Sequence, residues 1–346
     1  MSHFTTLGAA DVAAIAAGVV ARDRSAVARA LNLVEDRRPA MREAQRGLLR
    51  ALATAPRLGH VVGVTGPPGA GKSTLCAALA RALRGRNDRV GVVAVDPSSA
   101  RSGGALLGDR VRIVDEGGTP DPGLFIRSLA AGGELGGLAR VAPACIEVLA
   151  AATDVVLVET VGVGQSEIDV TLVADVTVLV VQPASGDVLQ FLKAGVLEMP
   201  DVIVVGKSDL GDLATRAEAD LRHAIGVGRS VGSNDCGAEA EIVLASGRTG
   251  VGVDVLLSKL DARLETMRKS GELAKRRRDG AITRGLGVIE RRVGEVGVDA
   301  LGGEAVVRAR LGEAIDAGSP ALEIAEAMVD EVAPPRGSGG AIGRRP

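Results

Sequence analysis

The chain has 346 residues, 46% apolar and 24% charged, with 41 basic residues against 43 acidic ones and a formal charge of −2. This much apolar material excludes wholesale disorder, and the balanced charge supplies no overall field that would draw the chain to nucleic acid or an anionic membrane. With three Phe and no Tyr or Trp, it lacks the rings that stack on single-stranded bases, and its 47 glycines have no collagen period.

The first apolar run, Val12 to Ala21, follows Asp11 and has no Lys or Arg before it. A membrane span needs about 20 residues and a signal peptide a positive start, so the run reads as one face of an alanine-rich helix. Residues 11–55 read as helical, with Pro39 breaking or restarting the segment and Pro56 closing it. From His60 short β-branched runs recur: His60–Thr65, Arg89–Asp96, Val111–Val114, Asp154–Thr160, Asp175–Gln182, Val202–Lys207 and Glu241–Ser246. Helix candidates lie between most of them, at Gly71–Arg84, Leu138–Ala152, Val188–Met199 and Leu213–Ile225. The runs are continuous rather than alternating, as expected of strands buried on both faces, so the pattern predicts a mostly parallel sheet with helices on both sides. Residues 251–310 read as helical. Their basic cluster Lys275, Arg276, Arg277, Arg278 reads as a solvated helix face, with a partner-binding surface as the alternative. The end of the chain, from Pro334, reads as a disordered tail.

The three cysteines, Cys76, Cys145 and Cys236, are widely spaced and include no CxxC pair, so we expect reduced thiols in the cytoplasm. Three scattered histidines give no metal centre.

The sharpest motif is Gly66-Pro67-Pro68-Gly69-Ala70-Gly71-Lys72-Ser73-Thr74, which matches GxxxxGK[ST] between a predicted strand and a predicted helix. Its glycines let backbone N–H groups turn toward phosphates, and the helix start adds its positive dipole end. Lys72 is expected on the β- and γ-phosphates, the Ser73 hydroxyl on Mg²⁺ and Thr74 on an inner phosphate. The chain is therefore expected to bind a nucleoside triphosphate.

Val204-Val205-Gly206-Lys207-Ser208-Asp209 stands where a guanine-specific protein carries [NT]KxD. The Asp209 carboxylate can accept from guanine N1–H and the 2-amino group while the Lys207 stem lies over the ring; adenine offers neither donor there. Gly206 departs from the motif by replacing the Asn or Thr that normally supports this loop. The bland alternative is a strand-to-helix turn with a capping Asp. Ala245-Ser246-Gly247 ends the last strand, where backbone N–H groups of Ser246 and Gly247 are candidates for guanine O6.

Two more acid-bearing elements follow predicted strands. In Glu159-Thr160-Val161-Gly162, the glycine sits as in DxxG and can touch the γ-phosphate. Glu159 is a candidate to reach Mg²⁺ through water, Asp96 to stand just outside the metal's ligands, and Asp109, on the glycine-rich segment Ser102 to Asp109, to close onto it. Lys72, Glu159 and Asp109 are the candidate catalytic groups; a helix-capping role is the alternative for the acids. Ras-type enzymes place Gln directly after the DxxG glycine to orient water, whereas Val163 stands there in this chain. Intrinsic hydrolysis is thus expected nearer roughly 10⁻³ than about 10 per second unless a partner supplies groups.

In order along the chain, GPPGAGKSTL, VDPSS, SGGALLGD, FIRS, LGGLAR, VETVGVGQSE, GDVLQFLKAG and KSD resemble the MeaB/ArgK family, the P-loop GTPases associated with methylmalonyl-CoA mutase. The resemblance covers roughly residues 20 to 330. It implies an α/β P-loop fold with a helical lead-in (1–58), a G domain (59–262), a helical C-terminal dimerisation arm (263–333) and a tail (334–346). It further implies a homodimeric GTPase that binds GTP and GDP with Mg²⁺, gates adenosylcobalamin loading into an acyl-CoA mutase and protects that mutase. By the same motifs, Lys72 and Ser73 would serve phosphate and metal, Asp96, Asp109 and Glu159 would line the magnesium and switch region, and Lys207 and Asp209 would serve guanine. FLKAG in place of the commoner QGIKRG implies a variant mutase as client, and the chain carries no DxHxxG cobalamin signature. The alternatives are a transport-coupled ATPase or kinase for basic amino acids, a metal-insertion GTPase and a non-catalytic adaptor. The base motif argues against the first, and the lack of Cys/His clusters against the second.

Overall fold

The computed structural model describes residues 7–57, 59–96, 121–130, 141–160, 170–183, 200–230 and 240–333. The expected strand Val111–Val114, the expected helix Val188–Met199 and the tail lie outside them. The described chain divides into two compact units, Met1–Arg277 and Arg278–Pro346.

In the first unit, β1 (His60–Thr65), β2 (Val90–Asp96), β3 (Leu124–Ala130), β4 (Val155–Glu159), β5 (Val176–Val181), β6 (Val202–Val205) and β7 (Glu241–Leu244) form one sheet. Its order is β3-β2-β4-β1-β5-β6-β7, and each described pair is parallel. β1 lies between β4 and β5, with Val64 opposite Glu159 and Thr65 opposite Leu179. Parallel strands bring all their carboxyl ends to one edge, so the segments after β1, β4, β5, β6 and β7 meet there.

Successive strand residues serve opposite faces. Val62, Val64, Val92, Leu157, Val178 and Val204 pack with α4 (Lys72–Gly85) and α7 (Val253–Ser270). On the other face, Val61, Val93, Val156 and Val158 pack with α1 (Ala9–Val20), α2 (Arg24–Glu35), α3 (Arg42–Ala53) and α5 (Ala142–Ala152). Leu179, Val181, Ile203 and Val205 pack with α6 (Asp212–Ser230). Burial on both faces is why these strands read as unbroken valine runs.

The lead-in helices are thus part of the core. The run from Val12 forms α1, which buries Val12, Ile15, Ala16 and Val19. α2 starts on Asp23, whose Oδ1 accepts from Ala26 N at 2.8 Å. A 3-10 turn at Pro39–Met41 separates α2 from α3, where proline can start a helix but not continue one. Arg22 pairs with Asp154 at 2.8 Å, and Arg127 of β3 pairs with Glu35, tying these helices to the sheet. β3 is a strand the sequence pattern did not predict. It is a sheet edge in which Ile126 is exposed and Arg127 half-buried, so LFIRSLA lacks the unbroken apolar run of a central strand.

The basic cluster also differs from expectation. It lies on α8 (Glu272–Ala300), a helix interrupted at Gly294 by φ 65°. Arg277 donates twice to the Asp175 carboxylate, both at 2.7 Å, and Arg276 donates twice to Asp201, at 2.6 and 3.0 Å. Asp175 and Asp201 stand at the amino ends of β5 and β6, opposite the edge described above. These arginines are structural anchors rather than a solvated face. In the second unit α8 continues and packs with α9 (Glu304–Asp316) and α10 (Ala321–Val332) around Ile282, Leu286, Ile289, Val307, Leu311 and Met328. Arg278 pairs there with Asp316 at 2.7 Å.

Candidate functional site

The loop after β1 turns on Gly66, Gly69 and Gly71, with φ of 137°, 77° and 98°, a region that favours glycine. Between them, Ala70 N donates to Pro67 O at 3.2 Å, and Pro68 completes the turn. α4 then begins at Lys72 with no side-chain cap, so its first-turn amides are available to an anion. Lys72 is buried, and its Nζ donates to Gly66 O at 2.7 Å and Pro67 O at 3.0 Å. The result is a cationic cradle suited to phosphate oxygens, with Thr74 exposed at its rim.

Ser73 Oγ donates to Glu159 Oε1 at 2.5 Å. Because its proton is committed to the carboxylate, the hydroxyl oxygen keeps lone pairs for a cation. A hydroxyl beside a buried carboxylate is a hard-oxygen donor set, which fits Mg²⁺. Among the described residues no group of three or more His, Cys, Asp or Glu could hold a metal by itself. Asp96 ends β2 one strand away from β4, but only its backbone is described; Asp109, Gly162 and Val163 lie outside the described residues. The structure therefore brings together Ser73 and Glu159 of the expected metal set.

At the neighbouring strand ends, Gly206 N donates to Val181 O at 2.8 Å. Lys207 follows in a left-handed conformation, φ 53° and ψ 40°. Asp209 lies on the 3-10 turn Ser208–Leu210. Its Oδ1 accepts from Ser246 Oγ at 2.5 Å and its Oδ2 from Arg248 Nη2 at 2.6 Å. Those two contacts, the Ser246 hydroxyl first, hold the Asp209 carboxyl below the usual carboxylate range. Ser246 N donates to Val251 O at 2.9 Å, so the serine amide closes its own turn. Gly247 lies against the first turn of α4, where a Cβ would stand 2.6 Å from Thr74 C. Through that approach the loop carrying Gly247 and the phosphate loop form one surface.

Two residues were missed in the sequence. Gln182 Oε1 accepts from Lys207 Nζ at 2.9 Å, and Arg248 engages Asp209. Arg248 is detectable as a charge two residues after Ser246, whereas a glutamine ending a strand gives no comparable signal. Burial raises the thiol of Cys76 well above its ordinary range and pushes that of Cys145 up to about 12, which disfavours the thiolate at both.

The sequence matches the family described as "Methylmalonyl Co-A mutase-associated GTPase MeaB" over residues 27–296. A protein of Pyrococcus horikoshii that carries a GTPase name is 41% identical over 262 residues, covering 74% of this chain and 78% of its own length. The mouse protein named "Methylmalonic aciduria type A homolog, mitochondrial" is 36% identical over 274 residues, covering 75% of this chain and 65% of that protein. The crystal structure of an LAO/AO transport system kinase covers 94% of this chain and 99% of its own, with a TM-score of 0.64 at 24% identity, a likeness of fold. The nucleotide-binding cradle and these matches together identify the chain as a GTPase of the methylmalonyl-CoA mutase-associated MeaB family.

Proposed function

We propose that the chain binds GTP and GDP with Mg²⁺ and uses its nucleotide state to gate adenosylcobalamin loading into an acyl-CoA mutase of the methylmalonyl-CoA mutase type, which it also protects from inactivation. The observation that carries the nucleotide part is the juncture of three loops at one sheet edge: Lys72 in its cradle, Ser73 on Glu159, and Asp209 braced by Ser246. Lys72 would neutralise β- and γ-phosphate oxygens. The Ser73 hydroxyl would ligate Mg²⁺, with Glu159 behind it accepting the hydroxyl proton. The metal, when bound, supplies charge neutralisation across the phosphates. Asp209 would accept from guanine N1–H and the 2-amino group, beneath the stem of Lys207. Asp96 and Asp109 complete the proposed magnesium and switch set, and Gly162 the γ-phosphate contact.

The mutase part is supported by the family description and by the methylmalonic aciduria homologues. The reading includes a homodimer, supported by Val296, Val306 and Leu322 standing exposed in the helical unit, and a cytoplasmic location, supported by the free thiols of Cys76 and Cys145. To test it, single-turnover GTP hydrolysis is followed alone and with an adenosylcobalamin-dependent acyl-CoA mutase, and cofactor transfer is followed with GTP or GDP bound. We expect a rate near roughly 10⁻³ per second alone, stimulation by the mutase, and transfer that depends on the nucleotide. A fast unassisted rate, or a mutase that changes neither quantity, contradicts the reading.

A further inference from the structure

We propose that Gln182 is a positioning residue for the base: from the neighbouring strand it takes over the support of Lys207 that the Asn or Thr missing at position 206 would give. The proposal rests on the guanine reading of Lys207 and Asp209 above. Gly206 has no side chain with which to brace its loop, and the site leaves no space for one. A Cβ there would lie 2.9 Å from Ala70 O of the phosphate loop and 3.3 Å from Val180 Cγ1. Its amide is already committed to Val181 O. Lys207 nevertheless holds a left-handed conformation, which a residue with a side chain keeps only where its surroundings fix it.

The backbone bonds from Leu210 N to Lys207 O and from Ser208 N to Ala245 O hold that turn, and strand register shows what reaches the lysine's side chain. Val181 pairs with Val205, so the next residue on each strand, Gln182 and Gly206, stand side by side at the carboxyl edge. Gln182 Oε1 accepts from Lys207 Nζ at 2.9 Å, across the two neighbouring strand ends. Both side chains are half-buried, where such a contact is worth more than at the surface. The side-chain oxygen at position 182 anchors the ammonium and so holds the end of the lysine stem that the guanine reading lays over the base.

The test is a double-mutant cycle on the full chain, read as the affinity for fluorescent GDP with Mg²⁺. Gln182→Leu is expected to weaken binding roughly 3- to 10-fold without moving the melting temperature, and Gln182→Glu, which keeps an acceptor, to restore it. In a Lys207→Ala background, Gln182→Leu is expected to have no further effect. An unchanged affinity in Gln182→Leu, or the same loss with and without Lys207, overturns the proposal. Should Gln182→Leu unfold, Gln182→Asn, whose amide is one methylene short of the lysine, carries the same comparison. Asp209→Asn tested with XDP separates the two levels. If it gains XDP binding while the cycle fails, only Gln182 is wrong; if it does not, the guanine reading and the proposal built on it fall together.

Discussion

Asp209 shows how one carboxylate is prepared for a base. The Ser246 hydroxyl and then the Arg248 guanidinium depress its pKa, so it is ionised wherever the protein is folded near neutrality. Guanine needs that ionised form, because both of its donors point at carboxylate oxygens. A depressed carboxyl keeps its contribution above the ordinary carboxylate range and loses it as pH falls through the lowered value. GDP affinity measured from pH 8 downward should therefore stay level until below that ordinary range. Ser246→Ala and Arg248→Ala should bring the decline in at higher pH; profiles that overlay wild type would contradict this. Because Arg248 is largely exposed, its removal should change affinity at neutral pH by no more than roughly fivefold. At this scale the sequence shows the residues that carry a motif, such as Lys72 and Asp209. It does not show Gln182, because a lone polar residue at a strand end acquires meaning only from the register of its neighbour.

Among the secondary-structure elements, the central strands were legible because burial on both faces forces valine-rich runs, and the helix after the phosphate loop was legible from its motif. β3 was not, since an edge strand tolerates Arg127 and Ser128. The start of α8 was misread for a related reason: a run of four basic residues looks solvated until its acidic partners arrive from loops far away in sequence. Asp175 is fully buried. Burial would raise its carboxyl, but the Arg277 hydrogen bonds, the charges of Arg57 and Arg277 and the Val61 amide outweigh it and hold the carboxyl low. The pair should thus stabilise the fold above the ordinary carboxylate range and be lost as pH falls through the lowered value. Arg277→Ala removes two of that buried carboxylate's charge-assisted hydrogen bonds and should cost about 3 kcal/mol, visible as a melting temperature several degrees lower at pH 7. A variant that melts with wild type would show the anchor to be idle.

For the whole molecule, a phosphate cradle, a hydroxyl–carboxylate pair and a braced aspartate converge because seven parallel strands deliver their carboxyl ends to one edge. Along the chain these groups are spread from Lys72 through Glu159 to Asp209, and the motif spacing predicts their roles only because the sheet brings them together. The basic anchors sit at the other end of the same strands, so nucleotide chemistry and the support of α8 occupy opposite edges of one sheet. The most direct measurement is calorimetric titration of the full chain with GDP and with ADP, each in the presence and absence of Mg²⁺. The account predicts saturable binding of GDP that strengthens with Mg²⁺ and exceeds ADP binding by roughly 10²-fold or more. No heat with GDP, or equal affinity for the two nucleotides, would contradict it.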